Sequence, residues 1–377
     1  MAAAGDFTQF ATIFEFYLQT VPLVAARTQA YFGHPGIFYT EVKTLFGLFS
    51  TRPYGTNSST RKPGTLPVSL EASSYIHYDF GGNAGGTEVA MMILDHWLYT
   101  QNQTALRRFF PIVARTLDFF ANHYPNRTAD GQLVIYPTQA LETYWCAPGS
   151  VAGGEWEAPY FDAAHSRSNC IVNDHPTVVA LHVLLERTLQ LPTDVVGTEP
   201  QRAQWKALQK ILPPVPIITE NGFLSTSPYG SYPINNATHN GETPELYSVH
   251  PYRYFSLGRS RLGVQRDATP ALNCLREGRK IRNTCGNADG NGGWNQGVMN
   301  AALLGDARIA RAKVLARAHT SSATGYRFQG FAPHEQDYEP SADQLANMNS
   351  ALNWMLLQPA DDGANGSAIA FGAWPCT

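Results

Sequence analysis

Glu142 is a carboxylate in an apolar stretch of this 377-residue chain. Its neighbours over 133–146 are mostly apolar or aromatic, and no basic residue lies within that stretch. Burial in such surroundings would raise the pKa of the carboxyl group and keep it protonated near neutral pH. Acid-catalysed cleavage of a sugar acetal needs such a group, because the leaving oxygen must receive a proton. Glu142 is therefore the candidate general acid, and a helix-terminal or structural glutamate is the alternative.

A second carboxylate must activate water or attack the anomeric carbon. Asp337 and Asp343 are the candidates, since both lie just before or at the start of the last helical segment of the chain. An aspartate at a helix start is also a common cap, and this structural interpretation stays open for both. In an inverting pair, the carboxyl groups of Glu142 and one aspartate are expected roughly 6.5–9.5 Å apart.

Polar and aromatic side chains that could bind a sugar lie in the long loops. His250 could hydrogen-bond a hydroxyl group, and Arg253 could orient a carboxylate or bind an acidic sugar; a structural histidine and a structural ion pair are the alternatives. Aromatic rings could stack on sugar faces, although core packing is the better explanation for Trp354, which lies in an apolar helical segment. The predicted substrate-binding residues are Tyr144, Trp145, His250, Tyr252, Arg253 and Trp294.

Other chemistries leave few traces in the sequence. Gly81–Gly86 is rich in glycine, but no strand is predicted before it and no Gly-Lys-Ser/Thr follows, so a phosphate-binding loop is not predicted. The chain has no His-Glu-X-X-His motif, no paired Cys-X-X-Cys and no Gly-X-Ser-X-Gly elbow. We therefore predict no metal and no cofactor. With 15% charged residues and a net charge of −3, no nucleic acid and no membrane is predicted as a partner.

Helical periodicity dominates the segments that must hold these loops, because apolar residues recur at three- and four-residue steps. We predict helices at 8–31, 88–99 (capped by Thr87), 104–123, 176–189, 201–211, 296–319 and 341–357. The last six form three successive pairs. Leu212–Pro216 must leave the helix that precedes it, since proline removes a donor and clashes with the preceding turn. The long loops between the pairs are the expected carriers of function.

Asn-X-Ser/Thr triplets weakly favour the secretory pathway, although Met1–Asp6 has no signal-peptide pattern. Asn-X-Ser/Thr triplets begin at Asn57, Asn102, Asn126, Asn236 and Asn365. The five cysteines show no metal-ligand spacing, but Cys274 and Cys285 are close enough in sequence to close a small disulfide loop. No apolar stretch approaches the roughly 20 residues that span a bilayer.

The loop around Glu142 resembles a motif of family 95 glycoside hydrolases, the inverting α-L-fucosidase and α-L-galactosidase group. Pro137–Tyr144 is similar to the family's Pro-Ser-X-Ser-Pro-Glu-Asn loop, in which the glutamate five residues after the proline is the general acid. Gly86–Tyr124 looks like the family's helical hairpin with a Gly-Gly start, and Leu212–Pro216 looks like its Leu-Pro-Pro segment. The resemblance implies that Glu142 is the general acid.

The likeness is less close towards the C-terminus. Ser248–Tyr252 is similar to part of the family's His-Leu-Ser-His-Leu-Tyr motif, with Glu245 and Tyr247 in place of the first histidines. Counting back from Met355–Gln358 places Asp343 at the family's water-activating aspartate, although the glycines around that aspartate are absent here. The wording of the Glu142 loop looks closer to an uncharacterised branch beside the family than to its fucosidases.

The resemblance implies an all-α fold, an (α/α)6 toroid of helical hairpins with long functional loops, over residues 1–370. Met1–Phe7 resembles the segment just after the family's first toroid helix, which carries paired asparagines that polarise the water-activating carboxylate. Ala373–Thr377 resembles the segment that leads into the family's C-terminal β-domain, so 371–377 is expected to begin such a domain. The toroid is therefore predicted to be incomplete.

The candidate carboxylates predict a glycosidase, and the resemblance implies an inverting exo-glycosidase that acts on an oligo- or polysaccharide with an α-L-fucoside- or α-L-galactoside-like sugar. Glu142 donates the proton, and Asp343, or else Asp337, activates water. Two alternatives stay open. One is an inactive or carbohydrate-binding remnant of such an enzyme, and the other is a polysaccharide lyase that uses the His, Tyr and Arg groups of His250–Arg253.

Overall fold

The structure is a computed structural model. It describes residues 6–39, 86–136, 138–141, 143–144, 171–231, 241–257, 266–286, 288, 295–319, 342–359 and 368–375. This part of the chain is mostly helical, as expected for an all-α protein. By its contacts the chain divides into two compact units. The first unit is Phe7–Pro216 with Tyr229–Asn240, and the second unit is Met1–Asp6, Ile217–Pro228 and Gly241–Thr377.

The helices and strands of the described residues are as follows. The α-helices are α1 (Phe7–Phe32), α2 (Thr87–Thr100), α3 (Gln103–His123), α4 (His175–Gln190), α5 (Glu199–Ile211), α6 (Thr269–Glu277), α7 (Arg282–Cys285), α8 (Gly297–Leu303), α9 (Ala307–His319) and α10 (Ala342–Leu356). The strands are β1 (Val172–Asp174), β2 (Ile217–Glu220), β3 (Phe223–Thr226), β4 (Tyr229–Ser231), β5 (Leu357–Pro359) and β6 (Ala368–Ala370). Antiparallel pairs form between β1 and β4, β2 and β3, and β5 and β6.

The core of the first unit lies between paired helices. α3 packs against α1 and α2, and α4 packs against α2 and α5. Apolar faces at helical spacing supply the contacts, and the largest fully buried side chains include Phe14, Ile112, Leu117, Phe119 and Trp205. The helix pairs predicted at 88–99 with 104–123 and at 176–189 with 201–211 are confirmed.

The start of α2 differs from its predicted cap. Thr87 is the first helical residue, and Gly86 is the N-cap in a left-handed conformation with φ 96°. A side chain at Gly86 would place its Cβ 2.9 Å from Thr116 Oγ1, so the close approach and the positive φ both favour glycine. Capping by Asn102 is clear at α3, where its side chain accepts a hydrogen bond from the Ala105 N–H at 3.0 Å.

The proline-rich segment after α5 leaves the helix as predicted. α5 ends at Ile211, and Leu212 is its C-cap. His182 Nε2 on α4 donates a hydrogen bond to the Pro213 carbonyl at 2.8 Å, and the Leu133 N–H donates to the Ile211 carbonyl at 2.6 Å. These bonds give partners to backbone carbonyls that a continued helix would have used.

The second unit combines a β-hairpin with short helices. Asn221 and Gly222 make the turn between β2 and β3 with φ 50° and 82°, as a tight hairpin turn requires. The hairpin packs on α6, and Cys274 and Cys285 form a disulfide that links α6 to α7 with 5.4 Å between their Cα atoms. The disulfide considered from sequence is therefore present.

The single helix predicted over 296–319 is wrong. The chain breaks at Leu304–Asp306 between α8 and α9, where Gly305 has φ 74°. The Asp306 side chain accepts a hydrogen bond from the Ile309 N–H at 2.9 Å and so caps the new helix. α8 packs against both α9 and α10, so the predicted pairing of this region with the last helix holds. Among the described residues, no helix combines the length and apolarity needed to cross a bilayer.

Candidate functional site

The predicted site residues fall into described and undescribed parts of the chain. Glu142, Trp145, Trp294 and Asp337 lie outside the described residues, and so does the side chain of Asp343. Asp343 is the second residue of α10, in agreement with its predicted place at the start of the last helix. The structure describes Tyr144 in the first unit and His250, Tyr252 and Arg253 in the second.

The segment 138–144, which we call the Glu142 loop, is held closed by its own backbone. The N–H groups of Ala140 and Tyr144 each donate to the carbonyl of the other residue, at 3.2 and 3.1 Å. Leu141 adopts a left-handed conformation with φ 51°, which reverses the chain direction. Every residue of this loop that the structure describes is buried. This is unusual, because loops normally run over the surface where water satisfies their polar groups.

Asp174 anchors the beginning of the Glu142 loop. The Thr138 hydroxyl donates to Asp174 Oδ2 at 2.6 Å, and the Thr138 carbonyl accepts from the Ile171 N–H at 3.1 Å. The other carboxylate oxygen, Oδ1, accepts from the Thr177 N–H at 2.8 Å and caps α4. Burial raises the pKa of Asp174 to about 6, while the hydrogen bonds from Thr138 and Thr177 oppose that rise. One carboxyl group thus connects the loop to the start of a core helix.

A small sheet and an aromatic pair complete the support of the loop. Asn173, in a left-handed conformation, accepts from the Ile135 N–H through its side chain and donates its own N–H to the Ile135 carbonyl, both at 2.9 Å. The Tyr144 ring lies edge-on to the Tyr229 ring of β4, with 5.3 Å between the ring centres. The buried Tyr144 therefore packs in this cluster, which leaves little of its ring for stacking on a sugar.

Gln139 lies between the two anchored parts of the Glu142 loop. Its side chain is 1% exposed. Its carbonyl oxygen Oε1 accepts no hydrogen bond from any group in the part of the chain that the structure describes. Other buried amide oxygens of the described residues, such as Asn300 Oδ1 and Gln358 Oε1, likewise have no partner among those residues.

His250, in the second unit, contacts one polar and one aromatic side chain. Its Nδ1 lies 3.1 Å from Gln296 Oε1, and its ring centre lies 5.2 Å from that of Trp354 on α10. Because a carbonyl oxygen can only accept, His250 Nδ1 is the donor of this hydrogen bond. His250 and Trp354 are both half-buried, and Trp354 also packs against the apolar core, in agreement with its predicted packing role.

The two residues after Pro251 differ in exposure. Tyr252 is fully buried and lies against Tyr247, with 6.3 Å between the ring centres. Arg253 is half-buried and has φ 54°, with its N–H bonded to the Val249 carbonyl at 2.9 Å. A role of Tyr252 in substrate binding would require a ligand to reach the interior.

Of the buried carboxyl groups among the described residues, two that the sequence did not indicate bear on the candidate sites. Asp174 is one, and an Asp two residues before a proline at the start of an apolar helix is the signal that could have identified it as a cap. Glu245 is the other; it is 3% exposed, and burial raises its pKa to about 8. A Glu245 carboxylate oxygen lies within 4.8 Å of the sulfurs of Cys274 and Cys285. Those sulfurs are joined in a disulfide, which removes the thiolates that a metal would need.

Comparisons with known proteins give no family assignment. No protein-family model matches the chain, and a search of curated proteins finds no match. The likeness to family 95 glycoside hydrolases therefore rests on the sequence motifs alone.

Proposed function

We propose that the chain is the helical catalytic module of an inverting exo-glycosidase. Glu142 is the general acid, and Asp343, or else Asp337, activates water. The substrate is an oligo- or polysaccharide with an α-L-fucoside- or α-L-galactoside-like sugar. The observation that carries this proposal is the Glu142 loop, whose residues on both sides of Glu142 are buried and fixed by hydrogen bonds.

The surroundings of this loop suit an acid that must stay protonated. An apolar site disfavours the charged form of a carboxyl group and so raises its pKa. Asp174, which binds Thr138 of the same loop, has its pKa raised to about 6 by burial even though it accepts hydrogen bonds. Catalytic groups also need a rigid support. The Ala140–Tyr144 pair joins the residues before and after Glu142 in the sequence, and the Thr138–Asp174 bond anchors the residues before it.

The helical pairs support the toroidal part of the proposal. An (α/α)6 toroid over residues 1–370 is built from helical hairpins, and α2 with α3, α4 with α5, and α8 with α10 are pairs of packed helices. Residues 371–377 are proposed as the start of a C-terminal β-domain. The Cys274–Cys285 disulfide fits the secretory pathway, where an oxidising environment preserves such bonds.

The role of Glu142 is tested with two kinds of substrate, one whose leaving oxygen must be protonated and one whose leaving group departs without a proton. Glu142→Gln is compared with the wild type on the methyl and 2,4-dinitrophenyl α-L-fucopyranosides and α-L-galactopyranosides. We expect the variant to lose about 100- to 10,000-fold in kcat on the methyl glycosides, whose leaving oxygen needs a proton. We expect it to keep most activity on the dinitrophenyl glycosides, whose leaving group departs without one. Glu186→Gln, a buried glutamate on α4, is the matched control.

Three results would contradict the proposal. Equal losses on both leaving groups would remove Glu142 from the acid role. With a uronic-acid polysaccharide as substrate, a saccharide product that absorbs in the ultraviolet would indicate lyase chemistry, because elimination leaves an unsaturated uronic acid and hydrolysis does not. Saccharide binding without turnover by the wild type would indicate a carbohydrate-binding remnant.

A further inference from the structure

Two histidines join the turn after α1 to the end of α3. α1 ends at Phe32, so His34 lies in the turn that follows it, and His123 is the last residue of α3. His34 Nε2 lies 2.9 Å from His123 Nδ1, and the centres of the two rings are 5.1 Å apart. Both rings are half-buried. A direct N–H···N hydrogen bond therefore connects the turn to α3.

A second hydrogen bond of His34 fixes where the protons of this pair lie. His34 Nδ1 lies 2.9 Å from the Pro35 carbonyl oxygen, which can only accept, so Nδ1 is the donor. When the His34 ring is neutral, its Nε2 carries no hydrogen and accepts from His123 Nδ1. One further proton can be shared by the two rings and leaves their bond intact. A second further proton sets two N–H groups against each other, so the bond is lost when both rings are charged.

The surroundings of the pair are aromatic. The Phe119 ring stacks on the His123 ring with 4.6 Å between the centres, and the rings of Phe32 and Tyr124 meet it edge-on at 4.9 and 4.8 Å. Burial and the neighbouring His34 ring lower the pKa of His123 to about 3. The closed pair thus disfavours a proton that the imidazole of an opened turn would take up.

The charged groups on the elements around the pair have partners of their own. On α1, Arg27 donates to a backbone carbonyl of the segment after the turn. On α3, Arg115 and Asp118 attract each other. Just after α3, Arg127 donates to two backbone carbonyls, each at 2.8 Å. The pKa of His123 responds to burial and to the other histidine, and to none of these charged groups.

We propose that the hydrogen bond between His34 and His123, which we call the histidine latch, releases the turn after α1 from α3 in acid. At neutral pH the two neutral rings share the bond and hold the turn closed. In acid the opened turn is favoured, because each ring can then take a proton and face water. The inference concerns the packing of the first unit and does not depend on the proposed glycosidase function.

The latch controls the turn rather than the whole of α1. Directly after the turn, the Ile37 N–H donates to the Arg115 carbonyl on α3 at 3.0 Å, so this amide reports whether the turn is closed. Earlier in α1, the Phe14 ring packs on the Phe109 ring of α3 with 5.2 Å between the centres. That apolar contact holds the first half of α1 on α3 when the turn opens.

Amide hydrogen exchange of the native protein between pH 4.5 and 7 measures this opening. The folded-state pKa of His123 is depressed, so its contribution to stability is present above about pH 6.5 and is lost as the pH falls towards 3. We expect the protection factor of the Ile37 amide to fall about tenfold for each pH unit below about 6.5, since opening takes up one proton. Amides in the buried part of α4 are the internal reference.

His123→Phe keeps an aromatic ring against Phe119 but cannot titrate. Protection of the Ile37 amide in this variant should not change with pH over the same range. His182→Gln is the matched control, because His182 on α4 is also a half-buried histidine that bonds to a backbone carbonyl. It lies outside the latch, so His182→Gln should keep the pH dependence of the wild type.

Nitrogen NMR of the wild type labelled with 15N-histidine observes the latch itself. At pH 7 we expect a coupling between His34 Nε2 and His123 Nδ1 that is carried by their hydrogen bond, and at pH 5 we expect the His123 ring of the folded protein to be neutral. Absence of the coupling, or titration of His123 in the folded protein near pH 6.5, would overturn the proposal. A pH dependence of Ile37 protection that persists in His123→Phe would overturn it as well, because another group would then control the turn.

Discussion

Glu245 illustrates what burial does to one carboxyl group in this protein. Burial raises its pKa from 4.5 to about 8, so the folded protein keeps a proton that the unfolded chain releases at a lower pH. The folded state is therefore favoured below about pH 4.5 and loses stability as the pH rises towards 8. Glu245→Gln mimics the protonated acid at every pH and should remove this loss.

The prediction for Glu245 is checked by urea denaturation at pH 5, 6.5 and 8. The free energy of unfolding of Glu245→Gln should exceed that of the wild type by an amount that grows with pH, up to several kcal/mol at pH 8. A difference that is constant over this range would show that the Glu245 carboxyl group is already charged in the folded protein.

Single residues could be recognised from sequence only where their neighbours carried a chemical signal. The apolar setting of Glu142 and its spacing from Pro137 predict an acid role, which stays a prediction, and the described residues of its loop are buried. Glu245 was passed over because nothing in its sequence surroundings indicates burial. Its burial depends on Cys274, Cys285 and the apolar core around them, which are brought together only by the fold.

Two glycines in the turn after α1 differ in how closely α3 packs against them. Gly36 has φ 120°, and a Cβ there would lie 2.5 Å from Phe119 Cα and 2.8 Å from Phe119 Cβ on α3. Gly33, in the same turn, has φ 71° but nothing within 4 Å of its added Cβ. Gly36→Ala should lower the free energy of unfolding by at least about 3 kcal/mol, because backbone must move. Gly33→Ala should cost only about 1 kcal/mol of conformational strain.

Thermal or urea unfolding of the two alanine variants measures this difference. Equal costs at both positions would mean that α3 can shift away from the turn at little expense. The observed packing of the Phe38 ring on Phe119, with 5.3 Å between ring centres, makes such a shift costly.

Elements were predictable from sequence where they are long and periodic. α1, α3, α4 and α5 repeat their apolar residues over several turns, and their predicted bounds lie within two residues of the observed ones. The break between α8 and α9 was not predicted, because apolar residues recur at helical spacing on both sides of Gly305. In the structure, the positive φ of Gly305 ends α8, and the Asp306 side chain caps the start of α9. The strands were missed because stretches of three or four residues are too short to show alternation.

At the scale of the whole molecule, the disulfide belongs to one of the two compact units. Cys274 and Cys285 are separated by 11 positions and join α6 to α7 in the second unit. A disulfide that closes a loop of this length restricts the unfolded chain and so raises the free energy of unfolding by about 2–3 kcal/mol. Replacing both cysteines by alanine should therefore lower the opening free energy of α6 by about this amount.

Amide hydrogen exchange of the native protein measures this effect helix by helix. Protection in α6 should fall in the double alanine variant, and α4 of the first unit is the internal reference. Unchanged protection in α6 would show that packing against β3, rather than the disulfide, limits its opening.

The distance between the carboxyl groups of Glu142 and Asp343 lies beyond sequence patterns. The spacing of residues along one helix or loop follows from local geometry, whereas the distance between residues far apart in the chain depends on the whole fold. The motif spacing on which the two proposed roles rest therefore gives no distance between these carboxyl groups.

The stereochemistry of the released sugar tests the central claim most directly. Hydrolysis of 2,4-dinitrophenyl α-L-fucopyranoside and α-L-galactopyranoside is followed by proton NMR of the anomeric hydrogen before mutarotation. If Glu142 and an aspartate act as an inverting pair, the β-anomer appears first with the wild type. An α-anomer formed first would contradict inversion, and the absence of any sugar release would contradict the glycosidase itself.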